Sequence, residues 1–97
     1  MPDSKLQDPL GRVITLHDHT WYGHIVKGHP EVRAHRKFVE DAIKSPQEVR
    51  VSAADPDCRL YYGAGPRAGI TVVDLALSLV RTAYLAKKAK GAVEWSR

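Results

Sequence analysis

A turn signal at Asp55-Pro56-Asp57 separates two short runs with strong β-strand character. Before it, Val49 and Val51 alternate with polar residues, and after it residues 59–62 are rich in side chains that favour strands. Asp and Pro at such a position promote reversal of the chain. The pattern therefore predicts antiparallel strands, and residues 12–16 predict a separate first strand.

Residues 70–86 allow two interpretations. Residues 70–73 have strand propensity and residues 79–84 are a suitable hairpin partner, although the connection at 74–78 lacks the Gly or Asn of a tight turn. The apolar side chains of this stretch would also share one face of a long helix. We favour the hairpin, which would continue the antiparallel meander, and the helix remains an alternative.

Two helices are predicted before the meander. A short one, capped by Asp18, His19 or Thr20, ends near Gly28. A longer one begins at Pro30 and ends at residues 45–46. Its predicted buried stripe comprises Val32, Phe38, Val39, Ala42 and Ile43, and its predicted outer face comprises Arg33, Arg36, Lys37 and Glu40. Residues 1–9 are predicted to be a flexible lead, and residues 93–95 a last edge strand.

Size and charge restrict the class of protein. Ninety-seven residues are enough for one domain, here residues 10–97. The net charge of +4 favours a polyanionic partner. A single cysteine, Cys58, excludes an internal disulfide and a Cys-based zinc site within one chain, and we assign it no chemistry. We see no signal peptide and no membrane-spanning apolar run, so we expect a cytoplasmic protein without a membrane partner.

Three groups of residues together resemble a known nuclease superfamily. They are Trp21-Tyr22-Gly23-His24-Ile25 with His29-Pro30-Glu31, then Tyr61-Tyr62, then Val80-Arg81-Thr82-Ala83-Tyr84 with Gly91 and Trp95. In their order and spacing they are similar to phage- and mobile-element-associated nuclease domains of the barnase-EndoU-colicin-RelE superfamily. The resemblance spans residues 12–95, nearly the whole domain.

The resemblance implies a fold and a site. The implied fold is α+β, with N-terminal helices packed on a four-stranded antiparallel sheet and RNA bound across the open face of that sheet. His24 and Thr82 are implied to lie near each other as catalytic residues. Arg59, Tyr84 and Lys90 are further residues that the resemblance implies for the site.

Metal-independent RNA cleavage needs a base for the 2′-hydroxyl proton, an acid for the leaving 5′-oxygen and cations for the phosphorane. Histidine suits both proton-transfer roles because its ordinary pKa is near 6.5. Arg59 or Arg81 would contact the phosphate, and Thr82 or Tyr84 would donate a hydrogen bond. We expect substrate binding by His29, Arg81, Lys87, Lys88, Lys90 and Tyr61. Tyrosine rings can stack on bases, whereas Trp21, Phe38 and Trp95 are expected to be mostly buried.

All five histidines fall within residues 17–35, which also suggests a metal site. His17 and His19 would share one face of an extended strand, but no third ligand has a diagnostic spacing, so we expect no metal and no cofactor.

Three functions are compatible with these observations. The favoured one is a metal-independent RNA endonuclease, a toxin or phage effector that acts on RNA such as tRNA and is held in check by an acidic inhibitor or antitoxin. The alternative is a non-catalytic RNA- or protein-binding module with the same basic surface. The third is a structural component of a mobile element.

Overall fold

The computed structural model describes residues 3–30, 36–63, 69–85 and 91–97, with the backbone alone at residue 85. Its strands form one sheet in the order β1-β2-β6-β5-β4-β3-β7. Their bounds are β1 Ser4–Gln7, β2 Val13–Leu16, β3 Glu48–Val51, β4 Cys58–Tyr62, β5 Gly69–Asp74, β6 Leu79–Leu85 and β7 Val93–Ser96. Neighbouring strands are antiparallel except β2 and β6, which are parallel and share the single residue pair Thr15–Leu79.

The predicted fold class, helices packed on a four-stranded antiparallel sheet, is wrong. Strands β3 to β6 do form the predicted antiparallel meander, but β1 and β2 extend it at one side and β7 at the other, giving a mixed seven-stranded sheet. Strand β1 lies within the segment predicted as a flexible lead. It contains a single apolar residue, Leu6, so its sequence has little strand signal, and its pairing with β2 stabilises it.

The hairpin interpretation of residues 70–86 is confirmed by strands β5 and β6. The turn does not need glycine, because Ser78 adopts the left-handed conformation, with φ of 55°. In addition, Asp74 Oδ1 accepts a hydrogen bond from the Leu77 amide at 3.3 Å.

The first predicted helix is a mixed segment. It comprises α1 (Asp18–Thr20), a π-helical turn (Trp21–Ile25) and α2 (Val26–Gly28). In the π-helical turn the Val26 amide donates to the carbonyl oxygen of Trp21, five residues earlier. Trp21 and Ile25 are buried and anchor the turn in the core.

Helix α3 (Arg36–Lys44) is the longest helix in the described residues, and the predicted start of this helix at 30–35 lies largely outside them. Its buried residues include Val39, Ala42 and Ile43, as predicted. Phe38, however, is 64% exposed, and Arg36 is only 6% exposed, so these two predictions are wrong. Arg36 is buried because its guanidinium donates to Asp18 Oδ1 at 3.0 Å and lies 5.7 Å from the centre of the Trp21 ring.

The core lies on one face of the sheet, beneath α3 and the π-helical turn. A row of paired residues crosses this face from β6 to β7, namely Ala83, Thr71, Tyr61, Val49 and Trp95. The first four are buried and Trp95 is partly buried. No helix in the described part of the chain has the length and apolarity needed to cross a membrane.

Side chains join the two ends of the sheet through a network that we call the seam, formed by Asp8, Arg12, Tyr61, Glu94 and Arg59. Arg12 donates from Nε to Asp8 at 2.7 Å and from Nη2 to Glu94 at 2.7 Å, and Arg59 Nε donates to the other Glu94 oxygen at 2.8 Å. Glu94 is the extra residue where the pairing of β3 with β7 shifts register. The seam therefore ties the β1–β2 turn to β4 and β7.

The seam contains a buried carboxylate. Burial alone would raise the pKa of Asp8, but hydrogen bonds from the Tyr61 hydroxyl and from the side chain and amide of Arg12 outweigh it, and the pKa is lowered. Burial, together with the hydrogen bond to Asp8, raises the pKa of Tyr61. Both groups therefore hold the protonation state that keeps the network intact at neutral pH.

Candidate functional site

A cleft of about 270 Å³ lies at the end of the sheet where β4 begins. It is lined by His24, Ser52, Ala54, Asp55, Cys58, Val72, Arg81 and Thr82. The π-helical turn supplies the histidine, the β3–β4 connection supplies the residues from 52 to 55, and β4, β5 and β6 supply the rest. The cleft therefore brings together an imidazole, a guanidinium, a carboxylate, a thiol and two hydroxyls from separate parts of the chain.

A β-bulge explains how two successive residues of β6 reach this cleft. Val72 pairs with Thr82 and Val73 pairs with Val80, so Arg81 is an extra residue in β6. In a regular strand, successive side chains point to opposite faces of the sheet. The bulge changes this alternation, and both Arg81 and Thr82 line the cleft.

His24 reaches the cleft from the π-helical turn. Its neighbours in the turn, Trp21 and Ile25, are buried, whereas His24 is exposed. His24 and Thr82 thus share one cleft, which the predicted catalytic pairing requires. Their roles remain predictions.

Arg81 is held at the side of the cleft by two groups. Its Nη1 atom donates to Cys58 Sγ at 3.3 Å and lies 3.4 Å from Asp55 Oδ2. The hydrogen bond to Cys58, with the nearby charges of Asp55 and Asp74, raises the pKa of Arg81. The Arg81 side chain is 54% exposed, so a cation remains available to an anionic ligand.

Two other predicted residues contact each other outside the cleft lining. The rings of His29 and Tyr84 are tilted, with centres 5.5 Å apart, and both residues are half-buried. The structure therefore places His29, which directly follows α2, beside Tyr84 on β6, the strand that also carries Thr82.

Arg59 and Tyr61, which were predicted to contact the substrate, do not line the cleft. Arg59 belongs to the seam, where Nε binds Glu94 and Nη1 donates to the Pro56 carbonyl at 2.7 Å. Tyr61 is fully buried, so it cannot stack on a base. Both side chains alternate with Cys58 along β4 and project from its other face. Lys87, Lys88 and Lys90 lie outside the described residues.

The structure places two of the N-terminal histidines, His17 and His19, beside each other. The rings of His17 and His19 are stacked, with centres 5.2 Å apart, and His17 Nδ1 lies 2.9 Å from Asp3 Oδ2. In the part of the chain that the structure describes, no three His, Cys, Asp or Glu side chains are grouped so that they could hold a metal ion. His35 lies outside that part.

Sequence reasoning missed five residues of the cleft, and three of them, Ser52, Asp55 and Cys58, carry a hydroxyl, a carboxylate and a thiol. Asp55 was predicted only as a turn residue, Cys58 was assigned no chemistry, and Ser52 was one of the polar residues that alternate with Val49 and Val51. The β3–β4 hairpin was the available signal, because the residues of its turn must lie close to the first residue of β4.

No family model, curated protein or solved structure matches the chain.

Proposed function

We propose that this protein is a metal-independent RNA endonuclease that acts at the cleft lined by His24, Arg81 and Thr82. The observation that supports the proposal is the shared cleft: a group able to transfer a proton, a permanent cation and a hydroxyl donor line one cavity although they come from different elements. The net charge of +4 adds long-range attraction for a polyanion. The resemblance to the barnase-EndoU-colicin-RelE superfamily is part of the same proposal.

The chemistry assigns one role to each residue. His24 accepts the proton of the 2′-hydroxyl, and the 2′-oxygen bonds to phosphorus as the bond from phosphorus to the 5′-oxygen breaks. Water at the open side of the cleft supplies the proton for the leaving 5′-oxygen. Arg81 binds the phosphate oxygens, whose negative charge is more concentrated in the transition state, and Thr82 donates a hydrogen bond to one of them.

The substrate we propose is single-stranded RNA, including the loops of tRNA. A cleft of about 270 Å³ suits one splayed nucleotide and not a double helix. We further propose that the enzyme acts in the cytoplasm as a toxin or mobile-element effector. An acidic inhibitor that covered Arg81 would then block both RNA binding and RNA cleavage.

A second candidate is a non-catalytic RNA-binding module. The observation that favours it is that His24 is the sole imidazole lining the cleft among the described residues, whereas acid–base cleavage uses two proton-transfer groups. Arg81 would serve either function. Cleavage therefore has to be measured separately from binding.

The test is cleavage of total RNA and tRNA by purified protein in EDTA. His24→Ala should reduce the rate by about 100-fold or more, because it removes the base. Thr82→Ala should also reduce it, by about 10-fold, for loss of one hydrogen bond in the transition state. His19→Ala is the matched control, since His19 is exposed and outside the cleft lining, and its rate should equal that of the wild type.

Three outcomes would count against the proposal. Cleavage that disappears in EDTA would contradict the metal-independent mechanism. Full activity in His24→Ala would contradict the assignment of the base. Salt-dependent RNA binding with no cleavage under any condition would support the binding module instead.

A further inference from the structure

The way Arg81 is held leaves part of its guanidinium available. Both of its contacts, with Cys58 Sγ and with Asp55 Oδ2, use the Nη1 atom. Nε and Nη2 have no protein partner among the described residues. These two nitrogens form the planar edge that binds two oxygens of a phosphate at once.

Asp55 is itself fixed by its turn. Its Oδ1 atom accepts a hydrogen bond from the Asp57 amide at 3.0 Å, and its carbonyl oxygen accepts one from the Cys58 amide at 2.9 Å. Its own amide donates to Ser52 Oγ at 3.3 Å. Oδ2 therefore faces Arg81 from a constrained position and does not depend on a mobile side chain.

We propose that Asp55 is a positioning residue: it holds one nitrogen of Arg81 so that the Nε and Nη2 edge is ready to bind an RNA phosphate. This inference rests on the function proposed above and adds a residue to it. An exposed arginine loses rotamer freedom when it binds a ligand, and a preformed contact reduces that cost. The raised pKa of Arg81 agrees with this arrangement.

Stability does not account for the pair. Arg81 and Asp55 are 54% and 45% exposed, and exposed ion pairs contribute little to folding. Simple charge repulsion and a positioning role predict opposite effects on RNA binding when the Asp55 carboxylate is removed. Removing a carboxylate from a phosphate site should tighten RNA binding if Asp55 only repels the ligand, whereas it should weaken binding if Asp55 positions Arg81. The sign of the change therefore distinguishes the two roles.

The experiment measures binding of a fluorescent single-stranded RNA whose 2′-hydroxyls are methylated, so that it cannot be cleaved. Asp55→Asn keeps an oxygen for the Asp57 amide and removes the charge that faces Arg81. We expect it to weaken binding by about fivefold, to have no effect in an Arg81→Ala background, and to lower the cleavage rate of ordinary RNA in parallel. Asp57→Asn is the matched control because it removes the same charge from the same turn, and its binding should be unchanged or tighter.

Three outcomes would overturn the inference. If Asp55→Asn tightens binding as Asp57→Asn does, the carboxylate only repels the ligand. If it weakens binding equally with and without Arg81, it disturbs the turn and does not act through that arginine. If Arg81→Ala binds normally while His24→Ala loses cleavage, the phosphate contact lies elsewhere and the nuclease assignment stands. Conversely, weakened binding by Asp55→Asn in a protein that never cleaves RNA would support the positioning role and defeat the nuclease.

Discussion

Arg12 and Glu94 are joined by a 2.7 Å hydrogen bond from Nη2 to Oε1, although 82 residues separate them in the chain. Arg12 precedes β2, near one end of the strand order, and Glu94 belongs to β7 at the other end. The sheet therefore curls until its ends meet. The two ends meet through side chains. In the described residues, no backbone hydrogen bonds pair β7 with β1 or β2.

Arg12→Ala should destabilise the protein by about 2 to 3 kcal/mol, since it leaves the buried Asp8 carboxylate with fewer donors. Equilibrium urea unfolding would measure the change. Arg50→Ala is a suitable control: Arg50 is exposed to the same extent, 27%, but pairs with Glu48 in its own strand and with the Gly91 carbonyl oxygen, and among the described residues it contacts no buried carboxylate. Its expected cost is below about 1 kcal/mol. An equal loss in both variants would contradict a special role for the seam.

Asp8 should contribute to the acid sensitivity of the fold. Its pKa is lowered in the folded state, so its stabilisation is fully present above the ordinary aspartate value of about 3.9 and is lost as the pH falls through the lower folded-state pKa. Asp8→Asn should be less stable at pH 7 and should lose stability less steeply between about pH 4 and pH 2. Unfolding by urea at a series of pH values would measure the slope. Equal slopes for the variant and the wild type would refute the assignment.

Tyr61→Phe should have the opposite pH signature. The pKa of Tyr61 is raised, so its stabilisation is complete below the ordinary tyrosine value of about 10 and is lost as the pH rises through the higher folded-state pKa. At neutral pH the substitution should cost about 1 to 3 kcal/mol, because Asp8 loses a donor. Above pH 10 the gap from the wild type should narrow. Tyr22→Phe, at a 49% exposed position, should change neither the stability at neutral pH nor its dependence on pH above 10.

Gly91→Ala should destabilise the β3–β7 pairing by more than about 2 kcal/mol. Gly91 has φ of 97°, and an added Cβ would lie 1.9 Å from the carbonyl oxygen of Val51. Gly23→Ala is the control, because nothing lies within 4 Å of its added Cβ and its φ is not in the left-handed range. Thermal unfolding would compare the two. A Gly91→Ala protein as stable as the wild type would show that β7 is not firmly paired.

Local patterns predicted the individual elements better than their arrangement. Alternation and turn residues were sufficient for β3 and β4, whereas β5 and β6 were also compatible with a helix. Strands at the positions of β2 and β7 were predicted too, but β1 and the joining of all these strands into one sheet were not. β1 has one apolar side chain, and β2 contacts β6 through a single pair far along the chain. The four-stranded sheet was implied by the resemblance, and it was wrong because the number of strands depends on such long-range pairing.

Only part of the candidate site was predictable, because some of its residues depend on the register between strands. His24 and Thr82 were selected by the resemblance, and they do line one cleft. Tyr61 was misplaced because Tyr61 and Tyr62 look alike in sequence and strand alternation does not say which of the two faces the core. The bulge at Arg81 is a register shift between strands, and no single-strand pattern reveals it.

The seam also has a consequence for the order of folding. The contacts of Asp8 and Arg12 span long stretches of sequence, since Asp8 bonds Tyr61 in β4 and Arg12 bonds Glu94 in β7, so the network has high contact order. During synthesis the Asp8 carboxylate must wait for β4, and the Arg12 guanidinium for β7, before each has all its partners. We therefore expect the network to close cooperatively, and only after β7 has emerged from the ribosome.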